Sequence, residues 1–91
     1  MATTKRWSVD IYVDEHPEQR RTRAEARLHT GDRTHLVGVG EAMRNPSDSE
    51  VPEVGDELAV ARALADLAGR LGDAAATDIA GLAEERATHG W

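Results

Sequence analysis

The sequence predicts an α+β domain: a three-stranded antiparallel meander, then a long amphipathic helix and a short C-terminal one. Three observations carry this. Two stretches near the N-terminus alternate apolar and polar residues with a period of two, the pattern of half-buried strands. Gly31-Asp32 stands between the second such stretch and a third, as a hairpin turn does. Residues 51–72 then switch to a period of three to four, which is helical.

The chain is one small domain of 91 residues, running 1–91. Residues 1–5 form a polar, frayed tail. In residues 6–14, Trp7, Val9, Ile11 and Val13 face one way, and Ser8, Asp10, Tyr12 and Asp14 the other. Glu15-His16-Pro17-Glu18 is a turn, because proline cannot continue a strand ladder. In residues 21–30, Thr22, Ala24, Ala26 and Leu28 form an apolar set opposite Arg21, Arg23, Glu25, Arg27 and His29. The third strand spans residues 34–43, so the sheet occupies 6–44.

A two-residue turn at Gly31-Asp32 pairs Ala26 with Val37 and Ala24 with Val39. The first hairpin pairs Ile11 with Ala24 and Val9 with Ala26. Both registers gather apolar side chains on one face, as a half-buried sheet requires. The opposite face then carries Tyr12, Arg21, Arg23 and Arg27 beside Gly38 and Gly40. Glycines inside a strand often mark the close approach of another backbone or a ligand. These six residues are the candidate contact surface for a partner or a nucleic acid.

Residues 45–50 make a polar loop into the main helix, 51–72. Pro52 suits its first turn, and Glu53, Asp56 and Glu57 favour the positive end of its dipole. Leu58, Ala61, Leu64, Ala65, Ala68 and Leu71 form its apolar stripe, widened by Val60 and Leu67. Gly72 is read as its stop, with a short helix over 74–88 weakened by Gly81.

Composition excludes several classes of function. With no cysteine there is neither a disulfide framework nor a thiolate metal site. No apolar run is long enough for a membrane span or a signal peptide, which implies a cytoplasmic protein. No nucleophile stands with a base, and Asp14-Glu15-His16 are too close in sequence to aim at one ion. No catalytic residue, metal ligand, cofactor or small-molecule substrate is therefore expected. Formal charge is −6 overall, with residues 1–46 near balance and residues 47–91 strongly acidic. Such a chain is a poor non-specific ligand for nucleic acid. Aromatics are limited to Trp7, Tyr12 and Trp91, so the core is thin and Ala-rich, and association is one remedy.

The blocks VDIYVDEH, TRAEARL, LVGVGEAMRNP and VPEVGDELAVARALADL, in that order, resemble a small actinobacterial family of unknown function. That family is described as dsRBD-like in fold, with dormancy-linked mycobacterial members likened to ribosome hibernation factors. The resemblance covers about residues 7–83. It implies a βββα core and a homodimer. Double-stranded-RNA-binding domains place basic residues at the start of the helix after the sheet. Here Glu53, Asp56 and Glu57 stand there, so any RNA contact is expected on the arginine face. The leading expectation is a non-enzymatic, dimeric stress or dormancy protein acting on the ribosome or translation machinery. The alternative is a homodimeric protein-interaction module with no nucleic-acid partner.

Overall fold

A computed structural model describes residues 2–31, 35–44 and 52–88. Three strands, β1 (Ser8–His16), β2 (Arg21–His29) and β3 (Val37–Met43), form an antiparallel sheet in the order β1-β2-β3. One helix, α1 (Pro52–Thr88), lies across it. The α+β class and the meander are those the sequence predicts. The loop read at 45–50, the Asp32 side of the hairpin turn and the Thr34 start of the third strand lie outside the described residues.

The first hairpin turns through a short 3-10 segment, Pro17–Gln19, and Arg20 in the left-handed region at φ 50°. The turn therefore falls later than expected, and β1 runs on to His16. The pairing is Ile11 with Ala26 and Val13 with Ala24, two residues away from the expected one. A shift of two leaves every side chain on its own face, so the faces of β1 and β2 are as read.

The second register differs by one residue, and that changes a face. Ala24 pairs with Gly40 and Ala26 with Gly38, confirmed by the Leu28 amide donating to the Leu36 carbonyl at 2.9 Å. Gly38, Gly40 and Ala42 are therefore on the helix side, and Val37 and Val39 point away. The reason is steric. A methyl group built on Gly38 would collide with the Ala63 carbonyl and the Leu67 amide, and one on Gly40 with the Ala63 amide and the Ala59 carbonyl. The helix backbone rests directly on the strand, and valine cannot occupy that space.

The core is correspondingly small: Ala24, Ala26, Leu28 and Ala42 from the sheet, and Ala59, Ala63 and Leu67 from α1. Alanines spaced by four put small side chains on one narrow line of the helix, which permits the close approach. The buried line is rotated from the expected stripe. Leu58 and Leu64 are largely exposed, while Val60 and Leu71 pack at the margin.

The expected break at Gly72 is absent, so there is one helix over 52–88 in place of helices at 51–72 and 74–88. Gly72 does not adopt a left-handed conformation. The alanines at 74–76 that follow are the best helix formers, and they offset the roughly 1 kcal/mol that a helical glycine costs. At about 1.5 Å per residue α1 is roughly 55 Å long, against about 30 Å for a nine-residue strand. Its second half therefore projects beyond the sheet, and the molecule measures 66 × 30 × 19 Å. Among the described residues no helix is long and apolar enough to cross a membrane.

Two outcomes test this packing. Gly40→Val should destabilise the fold by about 3 kcal/mol or more through overpacking. Gly69→Ala, in a helical position where nothing lies within 4 Å of an added methyl, should stabilise by about 0.5–1 kcal/mol. Thermal denaturation of both variants measures the difference. The rotation of the helix is tested separately: Leu67→Ala should cost about 2–4 kcal/mol and Leu64→Ala about 1 kcal/mol or less.

Candidate interaction surface

The sheet face away from α1 is built from the side chains that alternate outward on each strand. β1 supplies Asp10, Tyr12 and Asp14, β2 supplies Arg21, Arg23, Glu25, Arg27 and His29, and β3 supplies Val37, Val39, Glu41 and Met43. Tyr12, Arg21, Arg23 and Arg27 thus share one face, as expected. Gly38 and Gly40 do not join them. They lie buried under α1, so the flat glycine floor expected beside the arginines does not exist.

Glu25 is the centre of this face. Arg23 Nη1 donates to Glu25 Oε1 at 2.6 Å, while Arg27 Nε and Nη2 both donate to Oε2 at 3.2 and 2.9 Å. These bonds, from Arg23 first and then Arg27, hold the Glu25 carboxyl below its ordinary range. Arg27 also lies over the Tyr12 ring, 4.3 Å from its centroid, a cation–π arrangement. Tyr12 pairs with Glu25 across the strands, and Asp14 is the residue beside Arg23. The expected register, with Ile11 opposite Ala24, sets Tyr12 opposite Arg23, and the observed shift of two residues sets it opposite Glu25. The Tyr12 ring accordingly carries a guanidinium over it while staying 46 % exposed.

Arg21 Nη1 lies 3.8 Å from Glu41 Oε1, and His29 Nε2 lies 3.0 Å from Asp10 Oδ2. Three arginines face four carboxylates on this sheet face. Phosphate affinity rises with uncompensated positive charge, and here the compensation is built into the strands themselves. Among the described residues no group of three or more His, Asp or Glu side chains is arranged to hold a metal ion.

The other face has an uncovered part. α1 lies over β2 and β3 and barely reaches β1. Trp7, Val9, Ile11 and Val13 point to the helix side but stay 53, 38, 39 and 39 % exposed. Leu64, 42 % exposed, lies about 160° around the helix from both Arg62 and Asp66. Those two bind the β3 edge: Arg62 Nη1 donates to the Glu41 carbonyl at 2.7 Å, and the Val39 amide donates to Asp66 Oδ2 at 2.9 Å. Leu64 is therefore on the β1 flank. Val9, Ile11 and Val13 form an exposed apolar stripe along β1, and Leu64 is exposed on the flank of α1 that faces that side. Residue patterning alone assigns these β1 side chains to the core. The signal that corrects it is a count of widths: a helix about 10 Å across covers about two strands spaced 4.8 Å apart, and the sheet has three.

A family model described as Rv2632c-like matches residues 5–89. An uncharacterized protein of Mycobacterium tuberculosis, Rv2632c, is 46 % identical over 85 residues, covering 93 % of this chain and 83 % of the relative. An uncharacterized protein of Mycobacterium bovis, Mb1767, is 57 % identical over 65 residues, 71 % of this chain. The matched stretch spans 66 % of that relative's length. The crystal structure of Rv2632c superposes with a TM-score of 0.78 at 42 % identity, covering 88 % of this chain and 92 % of that one.

The arginine–glutamate cluster makes a prediction about acid. Glu25 has a depressed folded-state pKa, so its contribution to stability is present at neutral pH and is lost as pH falls through that lowered value. Glu25→Gln should lower Tm at pH 7. Because the wild type loses the same contribution in acid, the gap should narrow as pH drops below the ordinary carboxyl value of 4.5. Melting curves across pH 3–7 (roughly the range of carboxylate titration) measure it.

Proposed function

The chain belongs to the Rv2632c-like family, and from that premise we propose that it works as a non-catalytic, self-associating protein-interaction module. The observation that carries this reading is the exposed apolar stripe of Val9, Ile11 and Val13 on β1, with Trp7 just before it and Leu64 on the facing flank of α1, which the chain's own helix leaves uncovered. A strand whose helix-facing residues are apolar but open to water is normally completed by another chain. Surface area supports the same reading. The chain exposes 7245 Å², against roughly 5,200 Å² for a compact monomer of this mass. Its radius of gyration is 18.6 Å, against about 12 Å for a compact domain of this length.

A role at the ribosome in stress or dormancy, with the dsRBD-like comparison that suggests it, is the less supported reading. It relies on the Tyr12, Arg21, Arg23 and Arg27 face, where Arg23 and Arg27 are both held by Glu25. It also inherits the carboxylates at the start of α1, where Glu53 sits in the first turn.

Sedimentation equilibrium at micromolar concentration should give twice the chain mass of 9.9 kDa. Ribosome co-sedimentation at low salt should show no binding that is lost in the Arg23→Glu/Arg27→Glu variant. A monomer in the first experiment overturns the proposal. Arginine-dependent co-sedimentation in the second restores the translation-machinery reading.

A further inference from the structure

The apolar stripe that the sequence assigns to the sheet is largely not the line the sheet buries. On α1 that line is Ala59, Ala63 and Leu67. Ala61 and Ala65 each stand two residues from members of it, about 160° around the axis, and both are exposed. They belong to a seam on the side of α1 away from the sheet. The seam runs from Val54 through Leu58 and Ile79 to Leu82 in alternating steps of four and three residues. Every seam position between Leu58 and Ile79 is alanine or glycine. Steps of four and three sustained over about four heptads are the spacing by which one helix receives another.

The large side chains of this seam are open to water. Val54, Leu58, Ile79 and Leu82 are all exposed, Ile79 most of all at 66 %. Ile79 and Leu82 lie on the half of α1 that projects past the sheet, beyond the reach of the domain's own packing. A helix that is apolar on the side away from its domain is normally covered by another chain. Between Leu58 and Ile79 the small residues leave a shallow trough about 32 Å long. The side chains that fill such a trough have to come from the incoming helix.

Charge selects the occupant. Glu57, Asp78 and Glu85 stand along one border of the seam, the first two each directly before a large seam residue. The whole helix holds eight carboxylates against three arginines, a net of −5. Two of those arginines are engaged at the β3 edge, Arg62 on the Glu41 carbonyl and Arg70 on Asp66. A second copy does not match this border. Laid antiparallel with Leu58 opposite the partner's Ile79, it sets Glu57 beside the partner's Asp78. Laid parallel, it sets Arg86 against the partner's Arg86. An anionic lipid surface is repelled by the same carboxylates.

We propose that the outer face of α1 receives an α-helix of a different protein, one with large aliphatic or aromatic residues along its seam and lysine or arginine on its borders. This goes beyond the self-association reading, because the seam faces away from the sheet that carries the β1 stripe.

The probe is a fluorescently labelled peptide of about four heptads with leucine at both seam positions and lysine at both border positions. One control peptide keeps the lysines and has serine on the seam. The other keeps the leucines and has glutamate on the borders. Fluorescence anisotropy should show the leucine–lysine peptide binding at least about tenfold more tightly than either control. Ile79→Ser/Leu82→Ser should weaken that binding at least about tenfold while leaving Tm within about 2 °C of wild type. Glu57→Lys/Asp78→Lys/Glu85→Lys should reverse the preference toward the glutamate-bordered peptide. That reversal decides the matter if the serine variant fails to fold. Equal binding of all three peptides, no binding up to about 100 μM, or equal binding by wild type and a folded serine variant overturns the proposal. So does conversion of a dimer to a monomer by Ile79→Ser/Leu82→Ser in sedimentation, which assigns the seam to a second copy. The expected peptide selectivity in a protein that sediments as a monomer supports the proposal and overturns the self-association reading alone.

Discussion

The fold depends on the direct seating of the α1 backbone on Gly38 and Gly40. There is no side chain between helix and strand at these points, and none can be added without moving main-chain atoms of Ala59, Ala63 or Leu67. The approach is matched from both sides by residues with little bulk: Ala24 and Ala26 on β2, Ala59 and Ala63 on α1. A chain without phenylalanine and with few large aliphatic core residues cannot gain much from side-chain volume. It gains instead from short distances, where many weak dispersion contacts accumulate. Two hydrogen bonds between helix side chains and the β3 backbone, through Arg62 and Asp66, become reachable only because the axis is so close.

That seating has a consequence at each edge of the sheet. A helix drawn tightly onto β3 and β2 can reach past β3, and its polar flank then caps the outer backbone there. The same placement leaves β1 beyond the helix. Natural sheets usually blunt an open edge with charge, a proline or a covering element. Here β3 is covered, while β1 keeps nine extended residues with valine and isoleucine on one face. The asymmetry is why an interaction surface is assigned to β1.

The opposite face illustrates how charge composition misleads without geometry. Three arginines on one strand suggest an anion site. Glu25 sits between two of them, and cross-strand neighbours supply further carboxylates, so the face is a neutralised ionic network around a stacked tyrosine. Individually exposed pairs of this kind contribute little to stability. Their effect is to make the strand face water-compatible without presenting a net positive field.

Much of the architecture was legible in the chain itself. Alternation over Trp7 to Val13 and Thr22 to Leu28 identified two strands and the correct face of each, because side-chain direction in a strand follows a local period of two. The helical period after Pro52, the absence of cysteine and the four matching blocks placed the chain in its fold class and family by equally local means. What tertiary structure decided are the quantities set by distances between elements. The one-residue register that turns Gly38 and Gly40 inward depends on how near α1 comes, and local hydrophobicity favours the opposite choice. The rotation of α1 onto Ala59, Ala63 and Leu67 follows from that same nearness, as does its passage through Gly72 from the alanines around it. Which strand is left uncovered, and which arginines are neutralised, depend in turn on register and helix position. A period can specify which side chains share a face, but only packing between elements decides what that face meets.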